Sequence, residues 1–141
     1  MIGLDSNALG RYIMQNDAAQ AARASRVVEA LSADEPALIT RVSLVERAWV
    51  LDVCYKLERA QLVTALEAVL RTQELLVERA EQVWQAVRMF RDGAGDFANC
   101  LIERCSAAAG CTRMLISIPP APAARPMHPA FRANPIDFTT C

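Results

Sequence analysis

Short apolar segments alternate with longer amphipathic segments along most of this chain. The short segments that we predict to be β-strands are residues 1–4, 37–40, 75–77 and 114–116. The longer segments repeat apolar residues at helical spacing, and the predicted helices are residues 9–13, 18–31, 42–55, 58–70, 80–90 and 96–109. This alternation is typical of a parallel sheet that helices cover on both faces. We therefore expect an α/β fold that binds ligands beyond the carboxyl ends of its strands.

Composition and charge limit what the chain can bind and where it works. Apolar residues make up 53% of the 141 residues, which is enough for one buried core. The net charge of −1 argues against a protein that holds nucleic acid by bulk charge. The five cysteines form no Cys-x-x-Cys pair and His128 is the single histidine, so a zinc site is not expected. Without a signal-like start or an apolar run of about 20 residues, we expect a cytoplasmic protein with no membrane contact.

The predicted helix at residues 42–55 has a broad apolar face. Val42, Val45, Trp49 and Val53 follow one another on it at helical spacing, and the intervening Leu44 and Leu51 broaden it. We expect this face to be buried, with Trp49 packed in the core rather than stacked on a nucleic-acid base. Trp84, on the predicted helix at residues 80–90, is expected to pack in the same way.

Three carboxylates lie at positions in the sequence where they could form a metal site with oxygen ligands. Asp5 follows the first predicted strand, Glu46 interrupts an apolar helix, and Asp96 follows a glycine turn. Aspartate is a preferred N-cap residue, so Asp5 and Asp96 have a purely structural interpretation as helix caps. Glu46 also has a purely structural interpretation, as an exposed glutamate paired with Arg47 or a neighbouring arginine. Gathered at one sheet edge, the three would suit Mg²⁺ or Mn²⁺, which prefer oxygen ligands.

The segments around these carboxylates resemble the three motifs of VapC-type PIN-domain ribonucleases. Residues 1–9 resemble the family's opening, in which an Asp, a Ser or Thr, and an Asn follow the first strand. Residues 39–51 resemble the second motif, which carries a glutamate at the position of Glu46. Residues 95–102 resemble the third, with Asp96 at the start of a helix. The motifs occur in the family's order and spacing.

The resemblance implies a three-layer α/β/α sandwich around a mostly parallel sheet, formed by residues 1–118. It implies Mg²⁺- or Mn²⁺-dependent cleavage of RNA, with Asp5, Glu46 and Asp96 as metal ligands and catalytic residues. It also implies a homodimer and a cognate antitoxin protein that neutralises the activity. The residues expected to contact and orient these ligands, without binding the ion themselves, are Ser6, Asn7 and Asn99. Three nearby arginines are expected either to contact RNA phosphates or to be ordinary solvated side chains: Arg11, Arg41 and Arg47.

Two departures from the family pattern favour a second interpretation. Many relatives carry an aspartate where this chain has Asn99, whose amide oxygen brings no charge. Relatives also place a Phe-Asp pair after the last strand, where this chain reads Ile116-Ser117-Ile118. The alternative to an active ribonuclease is therefore a catalytically impaired PIN domain that retains only dimer and antitoxin binding.

The composition changes after residue 118. Six of the seven prolines lie between Pro119 and Pro135, and no helical or strand period survives there. We expect residues 119–141 to be an atypical, extended or disordered tail. A lineage-specific extension and an out-of-frame translation of GC-rich sequence both explain this composition.

Overall fold

The chain combines a small parallel sheet with amphipathic helices in a computed structural model that describes residues 1–14, 31 and 34–114. Its strands within these residues are β1 (Ile2–Leu4), β2 (Ala37–Ile39) and β3 (Leu75–Val77). Its helices are α1 (Ser6–Ile13), α2 (Arg41–Val53), α3 (Arg59–Arg71), α4 (Ala80–Arg91) and α5 (Phe97–Ala108). None of these helices is both long and apolar enough to cross a membrane. The predicted α/β class is confirmed.

Several sequence predictions fall wholly or largely outside the described residues. They are the helix at residues 18–31, the strand at residues 114–116 and the tail at residues 119–141. The other predicted strands and helices form within a few residues of their expected bounds. Side-chain caps fix where α1, α2 and α5 begin. Thr40, for example, starts α2 by accepting a hydrogen bond from the Ser43 backbone N–H.

The three strands lie side by side in the order β1-β2-β3, all parallel. Ala37, Ile39, Leu75 and Val77, which share one face of the sheet, are buried in the core. The alternate positions are more open, since Leu76 is 50% exposed and a Cβ added to Gly3 would meet no atom within 4 Å. The described residues thus bury one sheet face, and the three-layer arrangement stays a prediction.

Helix α2 contacts three other helices of the described part, α1, α3 and α5. The predicted buried face is confirmed for Leu44 and Leu51. It is wrong for Val42, which is 76% exposed, and for Trp49, which is 60% exposed. The full set of buried side chains on α2 is Leu44, Arg47, Ala48 and Leu51. Both sides of this helix are apolar, so helical spacing alone does not determine which side faces the core. Trp84 is half-buried, with the Arg71 guanidinium carbon 5.4 Å from its ring centroid.

Candidate metal centre at the carboxyl edge of the sheet

Asp5 directly follows β1 and begins α1 as its N-cap. Its Oδ1 accepts a hydrogen bond of 2.7 Å from the Ala8 backbone N–H, and the residue is exposed. The capping role considered from the sequence is therefore present. Capping engages one carboxylate oxygen and places the charge at the positive end of the helix, where it is favourable.

Asp96 begins α5 in the same way, but Asn99 engages both of its oxygens. The Asn99 backbone N–H donates to Oδ1 at 2.7 Å, and its side-chain Nδ2 donates to Oδ2 at 3.2 Å. The preceding turn needs glycine, because Gly93 and Gly95 have φ angles of +87° and +125°. Arg59 from α3 holds this turn by donating to the carbonyl oxygens of Phe90 and Gly95.

Glu46 lies on α2 and is exposed. The start of α2 is tied to the end of β1, since the Ser43 hydroxyl donates to the Leu4 carbonyl oxygen at 3.4 Å. The exposure expected for Glu46 is confirmed. The pairing with Arg47 or a neighbouring arginine is wrong, because Glu46 forms no ion pair within the described residues and Arg47 is directed to α1. Glu46 and Trp49 are three residues apart on α2 and are both exposed, so they share one surface of this helix.

Arg47 is buried, contrary to the expectation of a solvated or phosphate-binding arginine. It is 8% exposed, and its Nε donates to the Ser6 carbonyl oxygen at 2.7 Å. Its Nη2 donates to Oδ1 of Asn7 at 3.4 Å. A Cβ added to Gly10 would lie 2.1 Å from the Arg47 guanidinium carbon. The sequence feature that could have indicated a buried side chain next to α1 is Gly10. Glycine inside a helix is unfavourable unless another group needs the space.

A polar cluster that the sequence did not reveal lies at the start of α2 and α4. The backbone N–H of Arg41 donates to Glu78 at 3.0 Å, and its guanidinium donates to Glu78, Gln82 and Cys105. These bonds lower the pKa of Glu78, the backbone N–H bond from Arg41 being the largest cause. Arg41 thus joins three elements, and the expectation that it is either a phosphate contact or an ordinary solvated side chain does not describe it. Arg11, by contrast, is exposed.

Cys100 lies one turn into α5 and is fully buried. Burial raises the pKa of its thiol to about 11, and the nearby negative charge of Asp96 adds to the effect. The thiol is therefore protonated at neutral pH, in keeping with the small buried hydrophobe expected from the sequence.

The three predicted metal ligands lie on elements that are close together. Helix α2, which carries Glu46, packs against both α1 and α5, whose N-caps are Asp5 and Asp96. Carboxylate oxygens also have the donor chemistry that Mg²⁺ and Mn²⁺ prefer. In residues 1–14, 31 and 34–114, however, no three His, Cys, Asp or Glu side chains are grouped closely enough to hold a metal ion. The donors fit the ion chemically, and the described geometry does not assemble them into a ready-made site.

No family model, curated protein or solved structure matches the chain. The family assignment therefore depends on the three motifs and their order, and it stays a prediction.

Proposed function

We propose that the chain is a PIN-like endoribonuclease that depends on Mg²⁺ or Mn²⁺ and is neutralised by a cognate antitoxin. The observation that carries the proposal is that its three motif carboxylates are exposed and lack ion pairs with the described arginines and lysines. Asp5, Glu46 and Asp96 are all exposed, and none forms an ion pair with an arginine or lysine of the described part. The helix of Glu46 contacts the helices that Asp5 and Asp96 begin, so three negative charges without a cationic partner in the described part lie on neighbouring elements.

Asp5, Glu46 and Asp96 would hold the ion in this proposal. When bound, such an ion activates water and stabilises negative charge on a phosphodiester. The chain itself contributes the fixed positions of the ligands. The caps of α1 and α5 hold Asp5 and Asp96 in place, while the contact of Ser43 with the Leu4 carbonyl holds α2 against the end of β1.

The finer architecture belongs to the same proposal. We infer a three-layer sandwich and a homodimer in the cytoplasm. The open sheet face at Gly3 and Leu76 supports a further covering layer, since apolar sheet faces are normally buried.

A second candidate function is a catalytically impaired PIN domain that binds only its partner proteins. The bonding of Asp96 favours this candidate, because Asn99 already engages both of its oxygens. An aspartate in place of Asn99 would offer the ion another charged ligand, whereas the amide offers a neutral oxygen.

Cleavage of a labelled RNA pool, with Mn²⁺ and with chelator, tests the proposal. The Asp5→Asn variant removes the charge and keeps a good N-cap, because asparagine caps helices about as well as aspartate. Glu46→Gln is the second variant, and Glu81→Gln, at an exposed glutamate on α4, is the matched control. We expect Mn²⁺-dependent cleavage that Asp5→Asn and Glu46→Gln abolish and Glu81→Gln retains. Cleavage that persists in the first two variants would contradict the proposal, and inactivity of the wild type would favour the impaired domain.

A further inference from the structure

Arg47 carries a charge into the protein interior beside the proposed acidic site. It is 8% exposed, although arginine is rarely buried unless it is paired. No carboxylate among the residues described here forms an ion pair with it. A buried charge is costly unless hydrogen bonds compensate for it, so the bonds that Arg47 makes determine where it can lie.

These bonds reach the residues that directly follow Asp5. Nε of Arg47 donates to the Ser6 carbonyl oxygen at 2.7 Å, a short charge-assisted bond. Nη2 donates to Oδ1 of Asn7 at the longer distance of 3.4 Å. One guanidinium on α2 therefore holds both the backbone and a side chain at the start of α1.

The absent side chain of Gly10 makes room for the guanidinium. A Cβ at this position would lie 2.1 Å from the guanidinium carbon of Arg47 and 2.4 Å from its Nη1. Glycine inside a helix is less favourable than alanine by about 1 kcal/mol. The chain accepts this cost at a position in α1 that contacts Arg47, which indicates that the two residues form a matched pair.

We propose that Arg47 is a positioning residue that fixes the segment from Asp5 to Asn7 relative to Glu46. Its backbone adjoins Glu46, and its guanidinium holds the two residues after Asp5. It therefore links two proposed ligands that come from different helices. Its relevance to metal binding rests on the proposed function, whereas its hold on the Asp5–Asn7 segment does not.

Hydrogen exchange of residues 1–14 tests this hold in the Arg47→Met variant. Methionine keeps much of the length of the side chain and removes its charge and donors. The control is Arg59→Met, because Arg59 also donates to two backbone carbonyls, but in the turn before α5. We expect exchange in the first turns of α1 to become about tenfold faster in Arg47→Met and to stay unchanged in Arg59→Met. Unchanged exchange in Arg47→Met, or equal acceleration throughout the chain, would overturn the proposal.

Mn²⁺ affinity, compared at equal losses of stability, separates positioning from general support. The control for affinity is Leu66→Ala, which leaves a cavity in the core on α3, a helix with no proposed ligand. We expect Arg47→Met and Arg47→Lys to bind Mn²⁺ at least about tenfold more weakly than Leu66→Ala, since lysine keeps the charge and lacks the forked donors. Equal affinities in the three variants would overturn the link between Arg47 and the ligands. If the wild type binds no Mn²⁺, the proposed function fails, and the exchange measurement alone decides whether Arg47 fixes the segment.

Discussion

Asp5 and Asp96 are helix caps, and the proposed function gives them a second role as metal ligands. Each accepts a hydrogen bond from a backbone N–H in the first turn of its helix. The cap orients the carboxylate without any ion, so the two charges stay in place in the metal-free chain. Glu46 has no such anchor, and its position depends on the placement of α2 as a whole.

Gly10→Ala is predicted to destabilise the protein by about 1–3 kcal/mol, the usual range for forcing extra atoms into a packed site. The new Cβ would lie 2.1 Å from the Arg47 guanidinium carbon, so the guanidinium must move. Urea unfolding measures the change. Gly3→Ala is the control, because a Cβ there meets no atom within 4 Å. Equal free energies of unfolding for the wild type and Gly10→Ala would show that Arg47 does not need the space that Gly10 leaves.

Asn99→Asp is predicted to strengthen Mn²⁺ binding and to weaken the metal-free fold by about 1 kcal/mol. The aspartate replaces the donor that Asn99 offers to Asp96 Oδ2 with a second negative charge. Calorimetry and thermal unfolding measure the two effects.

Asn99→Ala serves as the control for this substitution, since it removes the same donor without adding charge. It is expected to lose stability and gain no affinity. If Asn99→Asp binds Mn²⁺ no better than Asn99→Ala, then charge at position 99 does not limit metal binding.

At the scale of secondary-structure elements, the bonds of Arg41 join the ends of β2 and β3 to α5. Arg41 begins α2, Glu78 follows β3, and Cys105 lies in α5. The guanidinium donates to Glu78 at 3.3 Å and to the Cys105 sulfur at 2.8 Å. This contact fixes the sheet edge where the proposed site lies, because a polar cluster whose hydrogen bonds are all satisfied holds its elements in fixed relative positions.

Stability is predicted to fall on acidification through the titration of Glu78. Arg41 lowers the pKa of Glu78 below its ordinary value of 4.5, so the folded protein favours the ionised form. The stabilisation is therefore fully present above about pH 4.5 and is lost as the pH falls through the lowered pKa of the folded state.

Thermal unfolding of Glu78→Gln from pH 7 to pH 3 measures this contribution. We expect Glu78→Gln to be less stable than the wild type at pH 7 and the difference to shrink toward pH 3. Glu81→Gln controls for the loss of one negative charge on the same part of the chain. A difference between Glu78→Gln and the wild type that is constant with pH would show that ionisation of Glu78 does not stabilise the fold.

At the scale of the whole molecule, burial determines which thiols can react. Cys54 and Cys111 are exposed, whereas Cys100 is buried and its pKa is raised to about 11. We predict that iodoacetamide at pH 8 labels Cys54 and Cys111 in the folded protein and labels Cys100 only after unfolding in urea, because the thiolate is the reactive form. Peptide mass spectrometry identifies the labelled sites. Labelling of Cys100 at the same rate in the folded protein would contradict the observed core.

Local signals made much of this fold predictable. The strands at β2 and β3 are short apolar runs, and the helix starts at Asp5, Thr40 and Asp96 carry residues that cap helices well. Both features depend on neighbours in the sequence.

The features that sequence reasoning missed depend on residues distant in the chain. Arg47 is buried because Gly10, on another helix, leaves it space. Trp49 is exposed because the opposite apolar face of α2 meets the neighbouring helices. The motif carboxylates could be named from the sequence, but their distances from one another depend on how three helices pack.

Calorimetric titration of Mn²⁺ into the wild type and Asp5→Asn measures whether the motif carboxylates form a divalent-metal site. Asparagine preserves the cap of α1, so a difference between the two proteins reports the lost charge rather than a damaged helix. We expect the wild type to bind an ion and the variant not to bind one. Absence of binding in both proteins, or equal binding in both, would contradict a metal site at Asp5, Glu46 and Asp96.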